Sequence, residues 1–324
     1  MSPRSARKVR LCLWALGLAA LAAALLFVAF IWWYLPGFRH VRADLALPTR
    51  YSAGRFFAEP VTAQGVKLSL LTDTGGGLFL TQRAVERCGL HPVKFLSLHR
   101  TRLPDFQPDS RIPEPTRAGG WMPVVETEGD GMLGQRWFAG GVWDFDYPDR
   151  KLVLKASGFV PDSDMEQHAV RLGFRQEWGI RTANHPRFAV TIAGESVDCL
   201  FDTGATVWLT PQAQQVMNDQ EATERATSFV TASLFDRWRK AHPDWRLIEK
   251  GCQRTGASLI EVPEVEITGF KVGPVWFTRR SDANFTWMSS FMDKPIKASM
   301  GGNFLQYFRV TVDYPKATAF FQRR

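Results

Sequence analysis

Two stretches decide the fold: Leu70-Leu71-Thr72-Asp73-Thr74-Gly75 and Leu200-Phe201-Asp202-Thr203-Gly204, each an apolar, strand-like run ending in Asp-Thr-Gly. The tripeptide alone carries little, since ordinary residue frequencies give about 0.05 to 0.1 chance copies in a chain of this size. The downstream segments carry more. Leu133-Gly134 and Met300-Gly301 are each succeeded, twelve residues after the glycine, by Asp-Tyr-Pro, at Asp146-Tyr147-Pro148 and Asp313-Tyr314-Pro315. The halves therefore read as two copies of one unit. From Asp73 to Gly134 is 61 residues and from Asp202 to Gly301 is 99, so the second copy carries about 38 extra residues.

The 324 residues, 45% hydrophobic and 22% charged, are enough for two lobes of ordinary size around a sizeable core. Formal charge is +8, but Arg4, Arg7, Lys8 and Arg10 lie in the first ten residues, leaving 36 basic against 32 acidic groups. No basic stripe with interleaved aromatics is present, so nucleic acid is not expected as a partner.

Leu11 to Leu35 contains no charged residue and would extend roughly 38 Å as a helix, long enough to cross a bilayer. Trp32-Trp33-Tyr34 fits an interfacial belt, and the basic tail before the span predicts a cytoplasmic N-terminus. A cleaved signal peptide is the competing reading, with a shorter apolar region ending in small residues. The expected organisation is a cytoplasmic tail over 1–10, a transmembrane helix and membrane contact over 11–35, a linker over 36–52, and lobes over 53–160 and 161–324. The Ala, Arg and Leu content fits a bacterium with a GC-rich genome, which would make this a single-pass inner-membrane protein with a periplasmic body.

Alternating apolar and polar residues predict strands over Gly65–Thr72, Phe188–Phe201, Leu259–Ile267 and Phe270–Phe277, with Val310–Val312 and Ala319–Phe321 as a closing pair. Asn218 with Glu221 offers a capping box for a helix carrying Ala226, Phe229, Val230, Leu234 and Trp238, stopped by His242-Pro243. That helix is expected inside the second lobe's insertion.

The paired Asp-Thr-Gly and apolar-Gly segments resemble those of aspartic proteases of the pepsin and retropepsin type, over about residues 55–324. The resemblance implies an all-β, two-lobed, barrel-like pseudo-dimer with the N-terminal transmembrane helix and the helical insertion added. It implies an endopeptidase acting on a protein or peptide, with a site complete in one chain and no oligomer required. Asp73 and Asp202 would be the catalytic pair. Thr74 and Thr203 would tie the two loops together, Gly75 and Gly204 would admit backbone amides to the carboxylates, and Gly134 and Gly301 would underlie the loops. Two carboxyls about 3 Å apart cannot both ionise, so one apparent pKa is expected to rise and activity to fall at alkaline pH. The sequence departs from the pattern at Gly76-Gly77 and at Ser299, a polar residue in an apolar position.

Two other readings stay open. A protease-like module could bind peptides of the cell envelope without cutting them. Asp-Thr-Gly-Gly-Gly also resembles the phosphate loop of actin-like and Hsp70-like ATPases, although the segments are short and strand-rich for that fold. No Gly-x-Ser-x-Gly elbow, no His-Glu-x-x-His and no close Cys-x-x-Cys occurs, so no cofactor and no metal is expected. Cys199 with Cys252 is a conceivable disulfide; free buried thiols fit as well.

Overall fold

The computed structural model of the protein describes residues 3–34, 40–95, 97–115 and 120–323. Three sheets carry the architecture. The central one has six strands in the order Leu45–Ala46, Lys151–Leu154, Val142–Asp146, Arg309–Asp313, Thr318–Gln322 and Ala169–Arg171. Its middle joins the two sequence copies, because Val142–Asp146 and Arg309–Asp313 run antiparallel with Asp144 opposite Thr311. These two residues occupy the same place in their respective repeats, so an approximate twofold axis passes between them.

Each Asp-Tyr-Pro builds the same turn beside this joint. Asp146 Oδ1 accepts from the Asp149 N–H and Asp313 Oδ1 from the Lys316 N–H. Arg150 and Ala317 then adopt positive φ at equivalent positions. Tyr147 and Tyr314 point inward and are buried. Trp143, Phe145, Val310, Val312 and Phe321 are fully buried around them, at roughly 1.5–3 kcal/mol for each large apolar side chain.

The first half adds an eight-stranded sheet and the second a nine-stranded one. They share a four-strand core. In the first, Leu70–Thr72 runs parallel to Gly131–Leu133, which is antiparallel to Phe79–Thr81, itself parallel to Met122–Val125. In the second, Glu195–Phe201, Ala298–Met300, Ser228–Thr231 and Val275–Arg280 repeat that order and those senses. Alternation accounts for the long strands: Phe188, Val190 and Ile192 are buried while Arg187, Ala189 and Thr191 are half-buried. Among the described residues no sheet closes into a barrel.

The helix expected from Asn218 is corrected in its first half. Asn218 ends the helix Pro211–Met217 in a left-handed conformation, φ 50°, and the chain then forms Glu224–Ala226 and Ser228–Thr231. Ala226, Phe229 and Val230 do have helical spacing, but strand pairing on both sides of Ser228–Thr231 overrides it. Helix returns at Ala232–Ala241, where Thr231 caps through its hydroxyl and His242 closes the far end. It corresponds to Gln82–Arg87 of the first half, capped in the same way by Thr81, so it belongs to the repeat rather than to the insertion. The inserted residues lie before it, around Pro211–Met217, and after it, around Asp282–Ser289.

The N-terminal helix spans Pro3–Tyr34. Parts of the expected tail and span lie outside the described residues, side chains being described only over 14–29. Among the described residues no helix is long and apolar enough to cross a membrane. Cys88, Cys199 and Cys252 are free thiols, so the conceivable disulfide is absent.

Candidate active site

Asp73 and Asp202 are held by matching backbone. The Asp73 N–H donates to Leu133 O and the Asp202 N–H to Met300 O, tying each loop to the apolar residue of its own apolar-Gly segment, where a strand ends. Below them the threonines cross over. The Thr74 hydroxyl donates to Phe201 O (2.6 Å) and accepts from the Thr203 N–H (3.1 Å). In return the Thr203 hydroxyl donates to Thr72 O (2.9 Å) and accepts from the Thr74 N–H (3.1 Å). Both threonines are fully buried, so all four bonds are sheltered from water.

This crossover brings the two carboxyls within reach of each other, close enough that each shifts the other's titration. They are 9% and 7% exposed, so both are nearly withdrawn from solvent. The Gly75 N–H donates to Asp73 Oδ1 (2.9 Å), and the Gly204 N–H serves Asp202. Neither glycine has room for a side chain: a Cβ on Gly75 would stand 2.9 Å from Asp202 Oδ1, and one on Gly204 would overlap the Asp73 carboxyl. Gly134 and Gly301 lie beneath the loops, each backed against a carbonyl oxygen that a Cβ would overlap, Gly77 O and Thr227 O.

The departures from the sequence pattern fit the site. A Cβ on Gly76 would overlap Asp73 Oδ2 and Met132 Sδ, so the loop as built requires glycine there. Ser299 is the repeat equivalent of Met132. Its hydroxyl lies close enough to Asp202 to favour the charged form, although it completes no full hydrogen-bond geometry within the protein.

The two carboxyls are not equivalent. Burial pushes both upward, and the neighbouring Asp202 pushes Asp73 further, well above the ordinary value of 3.8. Asp202 rises too, mainly through burial, but the Arg280 charge, the nearby Ser299 hydroxyl, the Asp73 carboxyl and the Gly204 N–H hold it down. The pair therefore titrates as one unit, and the balance of burial and neighbouring charge favours the shared proton on Asp73. Among the described residues no His, Cys, Asp and Glu cluster could hold a metal ion.

The sequence reading missed Arg280. It ends Val275–Arg280, a strand of the repeated core whose counterpart in the first half ends in Val125, and nothing in Arg279-Arg280 distinguishes the arginine facing the site from its neighbour, which pairs with Asp236 outside.

No protein-family model matches the sequence, and no curated protein matches it. Solved structures do. The chain is similar to the aspartic proteinase from Irpex lacteus, with a TM-score of 0.50 and 11% identity over 87% of this chain and 97% of that one. It also matches a structure described as edgp, with a TM-score of 0.46 and 8% identity over 89% and 96% of the two chains. The fold is that of pepsin-like aspartic proteinases.

Proposed function

We propose that this protein is a membrane-anchored aspartic endopeptidase whose site is complete within one chain. The observation that supports this most directly is the buried, electrostatically coupled carboxyl pair carried on two loops locked by reciprocal threonines. Such a pair can do both halves of amide hydrolysis. Asp202, ionised, accepts a proton from a water as that water attacks the scissile carbonyl carbon. Asp73, protonated, donates to the carbonyl oxygen, giving a tetrahedral diol. Collapse of the diol breaks the C–N bond, the amide nitrogen takes the proton held by Asp202, and Asp73 recovers its own.

The test uses the full chain in detergent and a diverse peptide mixture read by mass spectrometry. Cleavage is expected, and Asp73→Asn or Asp202→Asn should reduce it by about 10²- to 10⁴-fold with unchanged circular dichroism. Undiminished cleavage in either variant overturns the reading. Peptide binding without cleavage in any form would instead favour a non-cutting peptide-binding module.

The anchor is part of the same proposal. It is supported by the uncharged run Leu11 to Leu35 behind a basic tail. It places the body on the outer, periplasmic side of a bacterial inner membrane, where its protein substrate would be met. Deleting residues 1–35 should release the protein from carbonate-washed membranes, and retention would refute the anchor.

A further inference from the structure

Asp202, Leu200, Ser299 and Phe229 lie on one face of the second half's sheet, while Phe201, Met300, Ala298 and Val230 turn the other way into the main core. Arg280 belongs to that first face. It stands opposite Thr231 on the parallel neighbour, two residues beyond the Phe229–Thr278 pair. Its guanidinium is stacked over the Phe229 ring, 3.5 Å from the centroid. Phe229 in turn packs with Leu200 and Ala205, which flank Asp202 in sequence. A continuous surface thus runs from the carboxyl pair to the cation.

The first half shows what occupies this place without a charge. Thr81 and Thr231 are equivalent helix caps, and each stands opposite one residue of the adjoining parallel strand: Val125 in the first half, Arg280 in the second. The approximate twofold axis therefore relates an exposed valine on one side of the site to an arginine on the other.

Among the described residues the half-buried Arg280 guanidinium has no hydrogen-bond acceptor and no ion-pair contact. Asp202 and Cys252 are the titratable groups whose charges reach it. Stacking on Phe229 engages the flat face of the guanidinium and leaves its rim of N–H groups available, the geometry that suits bidentate pairing with a carboxylate. A partly desolvated cation without an acceptor is costly, and an incoming anion would relieve that cost.

We propose that Arg280 binds a carboxylate of the substrate on one side of the scissile bond, making the enzyme selective for peptides with an acidic group there. The inference rests on the endopeptidase reading. The carboxylate has two possible sources, an Asp or Glu side chain or the C-terminus of the substrate, and the recognition chemistry is the same for both. Val125 gives the opposite side no such preference.

To test it, a peptide cut by the wild-type chain is resynthesised with Glu, Gln or Lys at each position flanking the cut, and with a free or amidated C-terminus. One position, on one side only, should favour Glu over Gln by about ten- to a hundredfold in kcat/KM; if the C-terminus is the source, the free acid should be favoured over the amide by that factor. The preference should fall to near one in Arg280→Met, survive in part in Arg280→Lys, and turn toward Lys in Arg280→Glu. Each variant is assayed at its own pH optimum, because the Arg280 charge also acts on Asp202. Ratios near one throughout for the wild type, or an undiminished preference in Arg280→Met, overturn the proposal.

Fluorescence anisotropy of labelled Glu and Gln peptides on Asp73→Asn protein, with and without Arg280→Met, separates the two claims. A Glu preference in binding that depends on Arg280, in a wild type that cuts nothing, would sink the endopeptidase reading and leave the carboxylate site standing. Cleavage without that preference would do the reverse.

Discussion

Thr74 and Thr203 each donate a hydroxyl proton to the other half's backbone and accept that half's N–H, so that exchanging the two residues leaves the network unchanged. Thr→Val at either position keeps the shape and leaves a buried carbonyl and a buried N–H without partners. The expected loss is roughly 1–3 kcal/mol for each orphaned group, measured by urea unfolding, with Thr→Ser close to wild type. The double valine variant should lose less than the sum of the singles, since both touch one network. Strict additivity would show that the crossover does not act as a unit.

Gly134 and Gly301 have φ values of −95° and −96°, so conformation alone would admit alanine at either place. Close approach of a carbonyl forbids it. Gly134→Ala and Gly301→Ala should each cost more than about 4 kcal/mol or prevent folding, the range of exceptional single substitutions. Gly158, whose surroundings are open, is the control and should tolerate alanine.

Burial and Asp202 hold Asp73 well above the 3.8 of an exposed carboxyl. Between 3.8 and the folded value the native state therefore binds more protons than the unfolded chain, and stability falls as pH rises through that window. Asp73→Asn removes the titration. It should melt above the wild type at neutral pH, and its advantage should shrink to the pH-independent remainder below pH 3.8, although the variant has lost most of its cleavage activity. A difference in melting temperature that is flat with pH would contradict the raised value. Cleavage by the wild type should disappear on the alkaline side as Asp73 loses its proton. In Arg280→Met the acid limb should move to higher pH, because that cation favours ionised Asp202.

Arg309 grips Asp144 across the central joint with Nε and Nη2, and Asp144 is 1% exposed. Arg309→Met would leave this carboxylate buried and unpaired, at an expected cost of about 3–5 kcal/mol by denaturant unfolding. The compensated variant Arg309→Met with Asp144→Leu should recover most of that loss. If the single substitution costs under about 1 kcal/mol, the pair does not hold the halves together.

The repeat was legible because its spacing is local: twelve residues separate each Gly from its Asp-Tyr-Pro, and each Asp-Thr-Gly ends its own strand. Segmentation of Asn218 to Thr231 was not legible, since Ala226, Phe229 and Val230 satisfy helical spacing and only distant pairing, of Ala226 with Thr206 and of Phe229 and Val230 with Val275–Arg280 and Ala298–Met300, puts them in strands. The barrel expectation overlooked that Val142–Asp146, besides pairing with Lys151–Leu154 of its own half, takes a second partner in the other half, with Asp144 opposite Thr311. Arg280 was invisible for a related reason: two adjacent arginines face opposite ways, and sequence does not say which one faces the carboxyls.

The ladder between Val142–Asp146 and Arg309–Asp313 also sets how the molecule could be divided. Either fragment produced by a break after Val160, which is 78% exposed, would carry a bare strand edge whose natural complement is the other fragment. Two separately translated pieces, 1–160 and 161–324, should consequently find each other in one cell and copurify, whereas each expressed alone should pair with itself or aggregate. The covalent connection would then supply effective concentration rather than architecture.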